Sequence, residues 1–245
     1  MILIAIVELD GRIIGCWHRI PQKIKYSETV TFAGQGVDVA VHPDFQGRRI
    51  SLKLLEITFD ISKKNDVSMS LGINTHPKLR KSAMKRGVKN IATLLGMIKI
   101  DDVDLHCDMM KYKHNFIKKY GYYMFKTINK IRKLKVFHKY ESVQDFYTDN
   151  TYNFDARIDD FWCEIEKEFD FIVIKNKEYL NWRYCDPRGG KYVIKQAVYD
   201  DHVLGYSVLR FNERVKDYPI GYIVDLLVLH QRFDVTKALL KDALL

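Results

Sequence analysis

The chain has 245 residues, 47% hydrophobic and 29% charged, the balance of an ordinary globular protein with room for one large domain or two small ones. No stretch reaches the roughly 18 consecutive apolar residues of a membrane helix, and Cys16, Cys107, Cys163 and Cys185 are too scattered to suggest a metal site or a disulfide framework. Lysine and arginine outnumber aspartate and glutamate by 40 to 31; the net charge of +9 fits a basic soluble surface or an anionic partner such as a nucleotide cofactor, nucleic acid or a membrane face.

Residues 2–7 form a β-branched run, Asp10-Gly11 is a hairpin turn signal, and residues 12–20 resume as a strand. The apolar start lacks a basic leader and is interrupted by Glu8 and Asp10, so it reads as a buried strand and a cytoplasmic location is expected. A polar loop over 25–28 is followed by a third strand at 36–42, closed by Pro43-Asp44. Over 47–64, Ile50, Leu54, Ile57 and Ile61 recur at three- and four-residue spacings, which predicts an amphipathic helix. A strand is expected at 67–73, then a second helix opened by His76-Pro77 and stopped at Gly87. Residues 111–140 are very basic and rich in tyrosine and phenylalanine. Such interleaving suits single-stranded nucleic acid; it also suits a helical connection that buries its rings and keeps its lysines wet, the role expected here.

The last third repeats the first. VIKQAVYDDHVLGYSVLR (193–210) lies beside ILIAIVELDGRIIGCWHR (2–19), IVDLLVL (223–229) parallels VDVAV (37–41), and TKALL (236–240) parallels SLKLL (51–55). Asp225 thereby pairs with Asp38. Both copies read as incomplete, the first starting at a strand and the second ending in its helix. The expected division is 1–100, a basic connection at 101–155, and 156–245.

The segment most informative about chemistry is VDVAVHPDFQGRRISLKLLE (37–56), a buried strand running through a short loop directly into a helix. Unpaired backbone N–H groups and the positive end of the helix dipole converge at such a place, which binds phosphate without needing a particular side chain. Gly47 permits close approach, and Arg48 and Arg49 can add charge-assisted bonds to a pyrophosphate or ribose phosphate; the same residues also fit an ordinary strand-to-helix turn with two solvated arginines.

This loop resembles the acyl-CoA-binding motif of the GNAT superfamily of N-acetyltransferases, Q/R-x-x-G-x-G/A after a hydrophobic strand. Gln46 takes the first position, Arg49 stands where the second glycine is usual, and Ser51 where Gly or Ala is usual. Asn74 stands where the family often has an Asn near the pantetheine arm, and Lys85-Arg86-Gly87-Val88 is similar to its lysine-x-Gly-Phe ending. The resemblance implies an α/β (α+β) fold, a mixed, mostly antiparallel sheet flanked by helices, in two tandem GNAT-like halves. It implies acetyl-CoA bound by Val39, Val41, Gln46, Gly47, Arg48, Arg49, Ile50, Ser51 and Asn74, with no metal. The family's frequent general-acid tyrosine is replaced by Ala83. Asp38 and His42 alternate with Val37, Val39 and Val41 along the strand and are the candidate bases, though each also reads as an exposed strand residue or a turn cap.

The expected activity is therefore transfer of an acetyl group from acetyl-CoA to a primary amine on a small molecule or peptide. Alternatives are a Fem-type aminoacyltransferase taking its acyl group from charged tRNA, and a GNAT-fold binding module without turnover. Incomplete sheets also allow a homodimer. Trp182-Arg183-Tyr184 reads as structural, with Trp182 packed and Arg183 bridging the halves.

Overall fold

A computed structural model of the chain describes residues 2–73, 80–81, 84–85, 87–93, 96–100, 102, 105–106, 123, 127, 145–212 and 218–244. The chain forms two compact units. One comprises Met1–Thr93 and Glu166–Lys175; the other comprises Leu94–Ile165 and Asn176–Leu245.

In the first unit, β1 (Leu3–Leu9) and β2 (Arg12–Tyr26) form a hairpin across Asp10-Gly11. Both turn residues have positive φ, the geometry a two-residue type I′ turn demands and an Asp-Gly pair supplies cheaply. β3 (Thr29–Val41) continues antiparallel to β2, and α1 (Ile50–Lys64) crosses over to β4 (Val67–Leu71), which runs parallel to β3. β2 and β3 are longer than the strands expected over 12–20 and 36–42, and β2 runs through Pro21. The reason lies in the edge opposite β3. That edge pairs with β1 as far as Arg19 and again from Ile24 with β6 (Phe171–Val173), so Pro21 sits in the gap, where no ladder N–H is required.

Gly15 on β2 is where α1 seats: a Cβ there would lie 3.0 Å from Cγ2 of Ile50 and 3.2 Å from Cδ1 of Leu54. The face of α1 that is fully buried is Leu54, Thr58 and Ser62, one residue per turn. Burial of Leu54 supplies roughly 1.5–3 kcal/mol, while the Ser62 hydroxyl meets the buried Arg19 and the Thr58 hydroxyl donates to the Leu55 carbonyl.

The second unit has a four-stranded antiparallel sheet in the order β5 (Tyr147–Thr151), β7 (Val193–Tyr199), β8 (His202–Phe211), β9 (Gly221–Val228). One face carries α4 (Phe233–Ala243) over Ala197 and Leu204. On the other face Phe154 and Phe161, the latter on α2 (Arg157–Ile165), pack edge-on against Tyr206. α3 (Lys177–Leu180) runs into a π-helical turn, Asn181–Cys185. Antiparallel sheets flanked by helices are the α+β architecture expected from the sequence. Among the described residues no helix is long and apolar enough to cross a membrane, and Cys16, Cys163 and Cys185 are free thiols.

Candidate active site

β3 and β4 pair only from Phe32↔Val67 to Gln35↔Leu71, and among the described residues the remainder of β3, as far as Val41, has no partner on that side. The two strands part at this point. Val39 and Val41 lie on the unpaired stretch, which ends at the loop before α1. His42 N–H is tied to Ile14 O, and Gln46 reaches back with Nε2 to the Val41 carbonyl, closing the loop on the strand end.

Gly47 and Arg49 both have positive φ, 80° and 61°. Arg49 is the residue before α1, held in the left-handed region at the position where the motif usually has glycine. A non-glycine residue is thus held in a conformation it finds strained. Among the described residues the N–H groups of Gly47, Arg48, Arg49, Ile50 and Ser51 meet no acceptor, and the first turn of α1 contains no acid. Arg48 stacks on the Phe45 ring at 5.1 Å, and neither Arg48 nor Arg49 pairs with a carboxylate among the described residues. Open amides, a helix N-terminus and unneutralised guanidiniums are the kinds of group that can receive a phosphate.

Of the two candidate bases, His42 is engaged. Arg12 donates from Nη2 to His42 Nε2 at 2.8 Å. His42 Nδ1 accepts from the Asp44 backbone N–H at 3.3 Å and lies 3.7 Å from the Asp44 carboxylate, so both ring nitrogens are engaged. His42 caps the turn Pro43–Phe45, packed edge-on against Phe45.

Asp38 is placed differently from a regular alternation. The register slips between Cys16↔Ala40 and His18↔Val37, so β3 carries one extra residue, and Asp38 sits in this bulge with φ 49°. Its carboxylate lies 3.6 Å from Nδ1 of His18 on β2. Gly15 and Arg19 on β2 contact α1, so His18 projects from the opposite face of the sheet. The structure thus brings Gln46, Gly47, Arg48, Arg49, Ile50 and Ser51 together in one loop and pairs Asp38 with His18 on the strand leading to it. Asn74 and Ala83 lie outside the described residues.

In the second unit β9 also runs through a short loop into a helix, α4, and the start of that helix carries its own carboxylate. Leu229 N–H bonds to Leu204 O, and Gln231 has φ 61°. Arg232, however, is engaged by Asp234 through a two-pronged ion pair at 2.8–3.2 Å, and Asp234 places a carboxylate in the first turn of α4. That guanidinium holds the Asp234 carboxyl below its usual pKa, keeping it charged where a phosphate would have to sit. Asp225 is buried and accepts hydrogen bonds from Tyr184 at 3.0 Å and Tyr206 at 3.2 Å.

Residues 2–82 match the sequence model of the family described as acetyltransferase (GNAT) domain. No curated protein matches the chain. Among solved structures, a GCN5-related N-acetyltransferase from Kribbella flavida is similar over 98% of this chain and 49% of its own, with 11% identity and a TM-score of 0.50. The chain spans about half the length of that protein. Glucosamine-6-phosphate N-acetyltransferase from Arabidopsis thaliana matches with 22% identity over 41% of this chain and 67% of its own, TM-score 0.34. A predicted acetyltransferase from Clostridium acetobutylicum, solved with acetyl-CoA, matches with 14% identity over 46% of this chain and 68% of its own, TM-score 0.36.

Proposed function

We propose, from the match of residues 2–82 to the GNAT acetyltransferase domain model, that the chain moves an acetyl group from acetyl-CoA to a primary amine of a small molecule or peptide. The observation that carries this reading is the loop before α1, with five backbone amides lacking an acceptor among the described residues, beside Arg48 and Arg49. In this reading those groups hold the pyrophosphate, and the unpaired part of β3 from Val37 to Val41 offers backbone N–H groups to the pantetheine arm and the thioester carbonyl. The bound thioester supplies the activated acyl group. The Asp38–His18 pair removes a proton from the attacking amine, with Asp38 holding the imidazole.

The second unit reads as a further GNAT-like half in a scaffolding role. What supports this is the recurrence of one pattern: a positive-φ turn at Asp200-Asp201, a bulge opposite Ala197/Val198 matching that opposite Val7/Glu8, and a strand feeding a helix. The Asp234 carboxylate in the first turn of its helix supports a reading in which the cofactor sits on the first unit.

The test is calorimetric titration of acetyl-CoA into the full chain beside Gly47→Asp, followed by a screen of amines for acetylation. Micromolar binding abolished by the substitution, with transfer to at least one amine, is the expected result. Absence of binding by the unaltered chain overturns the reading; binding without transfer to any amine would leave a binding module in its place.

A further inference from the structure

The Trp182-Arg183-Tyr184 turn takes no part in the chemistry above. Tyr184 anchors it by donating to buried Asp225, but its neighbours face outward. Trp182 is 47% exposed and leans on Tyr179 at 5.8 Å, while Arg183 is exposed and held inside this unit, donating to the Tyr192 hydroxyl at 3.3 Å. The expectation of a packed Trp182 is thereby corrected; the π-helical turn presents its ring outward.

Tyr192 immediately precedes β7. Arg210 on β8 lies over its ring at 5.7 Å, and Arg210 is in turn the cross-strand partner of Tyr222 on β9, which is 49% exposed. Cross-strand partners share a sheet face, so Tyr222, Arg210, Tyr192 and Arg183 form one alternating row of rings and guanidiniums, and the exposed Trp182 is the residue before Arg183 on the same turn. Neither Arg183 nor Arg210 pairs with a carboxylate among the described residues. With strands roughly 4.8 Å apart, the two outer tyrosines stand about 10 Å apart, and Arg183 adds a second guanidinium at Tyr192. That exceeds what one nucleotide covers.

We propose that this row is a docking surface for single-stranded nucleic acid, with phosphates on Arg183 and Arg210 and bases stacked on Tyr222, Tyr192 and Trp182. Charge complementarity selects a polyanion for an unneutralised pair on a chain of net charge +9. The exposed rings select one with flat faces; an acidic peptide would use the guanidiniums and leave the rings idle. Duplex fits poorly, because its bases are already stacked. The surface belongs to the second unit and does not depend on acetyl transfer in the first.

The test is fluorescence anisotropy of the full chain with a labelled single-stranded oligoribonucleotide across a salt series. Arg183→Gln with Arg210→Gln should weaken binding at least about tenfold and lower the slope of log K against log salt by about 1.4, two phosphate contacts' worth. Trp182→Ala with Tyr222→Ala should weaken it by about tenfold at an unchanged slope, since rings contribute stacking and no charge. Acetyl-CoA titration and circular dichroism of the same variants check that each remains folded. The proposal is overturned by lack of oligonucleotide binding, by equal binding of duplex with the ring variants unaffected, or by a free nucleoside monophosphate competing as well as the strand.

Discussion

Gly34 and Arg19 share one space: a Cβ on Gly34 would lie 2.4 Å from Cδ of Arg19. Arg19 crosses beneath β3 at this glycine to reach Ser70 Oγ on β4 at 3.2 Å and Ser62 Oγ on α1 at 3.0 Å, with its guanidinium over the Phe59 ring at 4.6 Å. Burial holds the group below its usual pKa, and among the described residues its Nε has no partner. Gly34 pairs with Ser70 one step before β3 and β4 part, so the arginine ties β2, β4 and α1 together where the cleft opens. Gly34→Ala should therefore cost about 1–3 kcal/mol in urea unfolding, as an overpacked core does. The cost should shrink when Arg19→Ala is added, because the obstructing methylenes are gone; full additivity in the double-mutant cycle would refute the crossing.

Arg49 occupies a left-handed conformation that glycine adopts without strain. Arg49→Gly should stabilise the first unit by about 1 kcal/mol, offset in part by the greater freedom glycine gives the unfolded chain, and raise its melting temperature by up to about 2–4 °C. The same change removes a cation from the proposed phosphate loop. Acetyl-CoA affinity should fall a few-fold while the melt rises, and a fall in both would mean that Arg49 supports the loop through contacts other than backbone geometry.

Asp38→Asn is nearly isosteric and tolerates the left-handed bulge, so the backbone there should survive it. If Asp38 holds His18 as the base, kcat should fall by about 10²-fold with the acetyl-CoA dissociation constant unchanged. His18→Asn should produce a loss at least as large. Equal kcat in Asp38→Asn and the unaltered chain would remove this pair from the reaction.

Local signals in the sequence were enough to place Asp10-Gly11 in a turn, α1 on its apolar spacing and the Gln46–Gly47 loop at the strand-to-helix junction, because each depends on residues a few positions apart. The bulge at Asp38 was hidden for the opposite reason. Val37, Asp38 and Val39 look like plain alternation until β2 supplies a register against which one residue is surplus. β6 was equally invisible: three residues, Phe171–Val173, complete the edge of a sheet whose partner strand lies some 150 positions earlier, counting from Lys25 to Ile172 as 147. Trp182 reads as packed from the likeness of its Trp-Arg-Tyr stretch to one that precedes a strand in tandem GNAT-like proteins, whereas the π-helical turn turns Tyr184 inward in its place.

That inward tyrosine gives the second unit an alkaline limit. Burial, reinforced by the charge of Asp225, pushes the Tyr184 and Tyr206 hydroxyls far above the ordinary tyrosine pKa of about 10. A raised folded-state pKa contributes stability that is complete below the unfolded value and is lost as pH climbs above it, since the unfolded chain releases protons that the folded chain retains. Stability should therefore be flat from neutral pH to about 10 and fall beyond it, each unit of pH costing about 1.4 kcal/mol per tyrosine. Tyr184→Phe should lower stability at neutral pH by about 1–2 kcal/mol, through the lost bond to Asp225, and yet flatten the alkaline decline. Urea unfolding at a series of pH values, with tyrosinate absorbance followed in parallel, separates the two effects. An undiminished alkaline slope in Tyr184→Phe would show that this hydroxyl titrates freely in the folded chain and that its bond to Asp225 does not shield it.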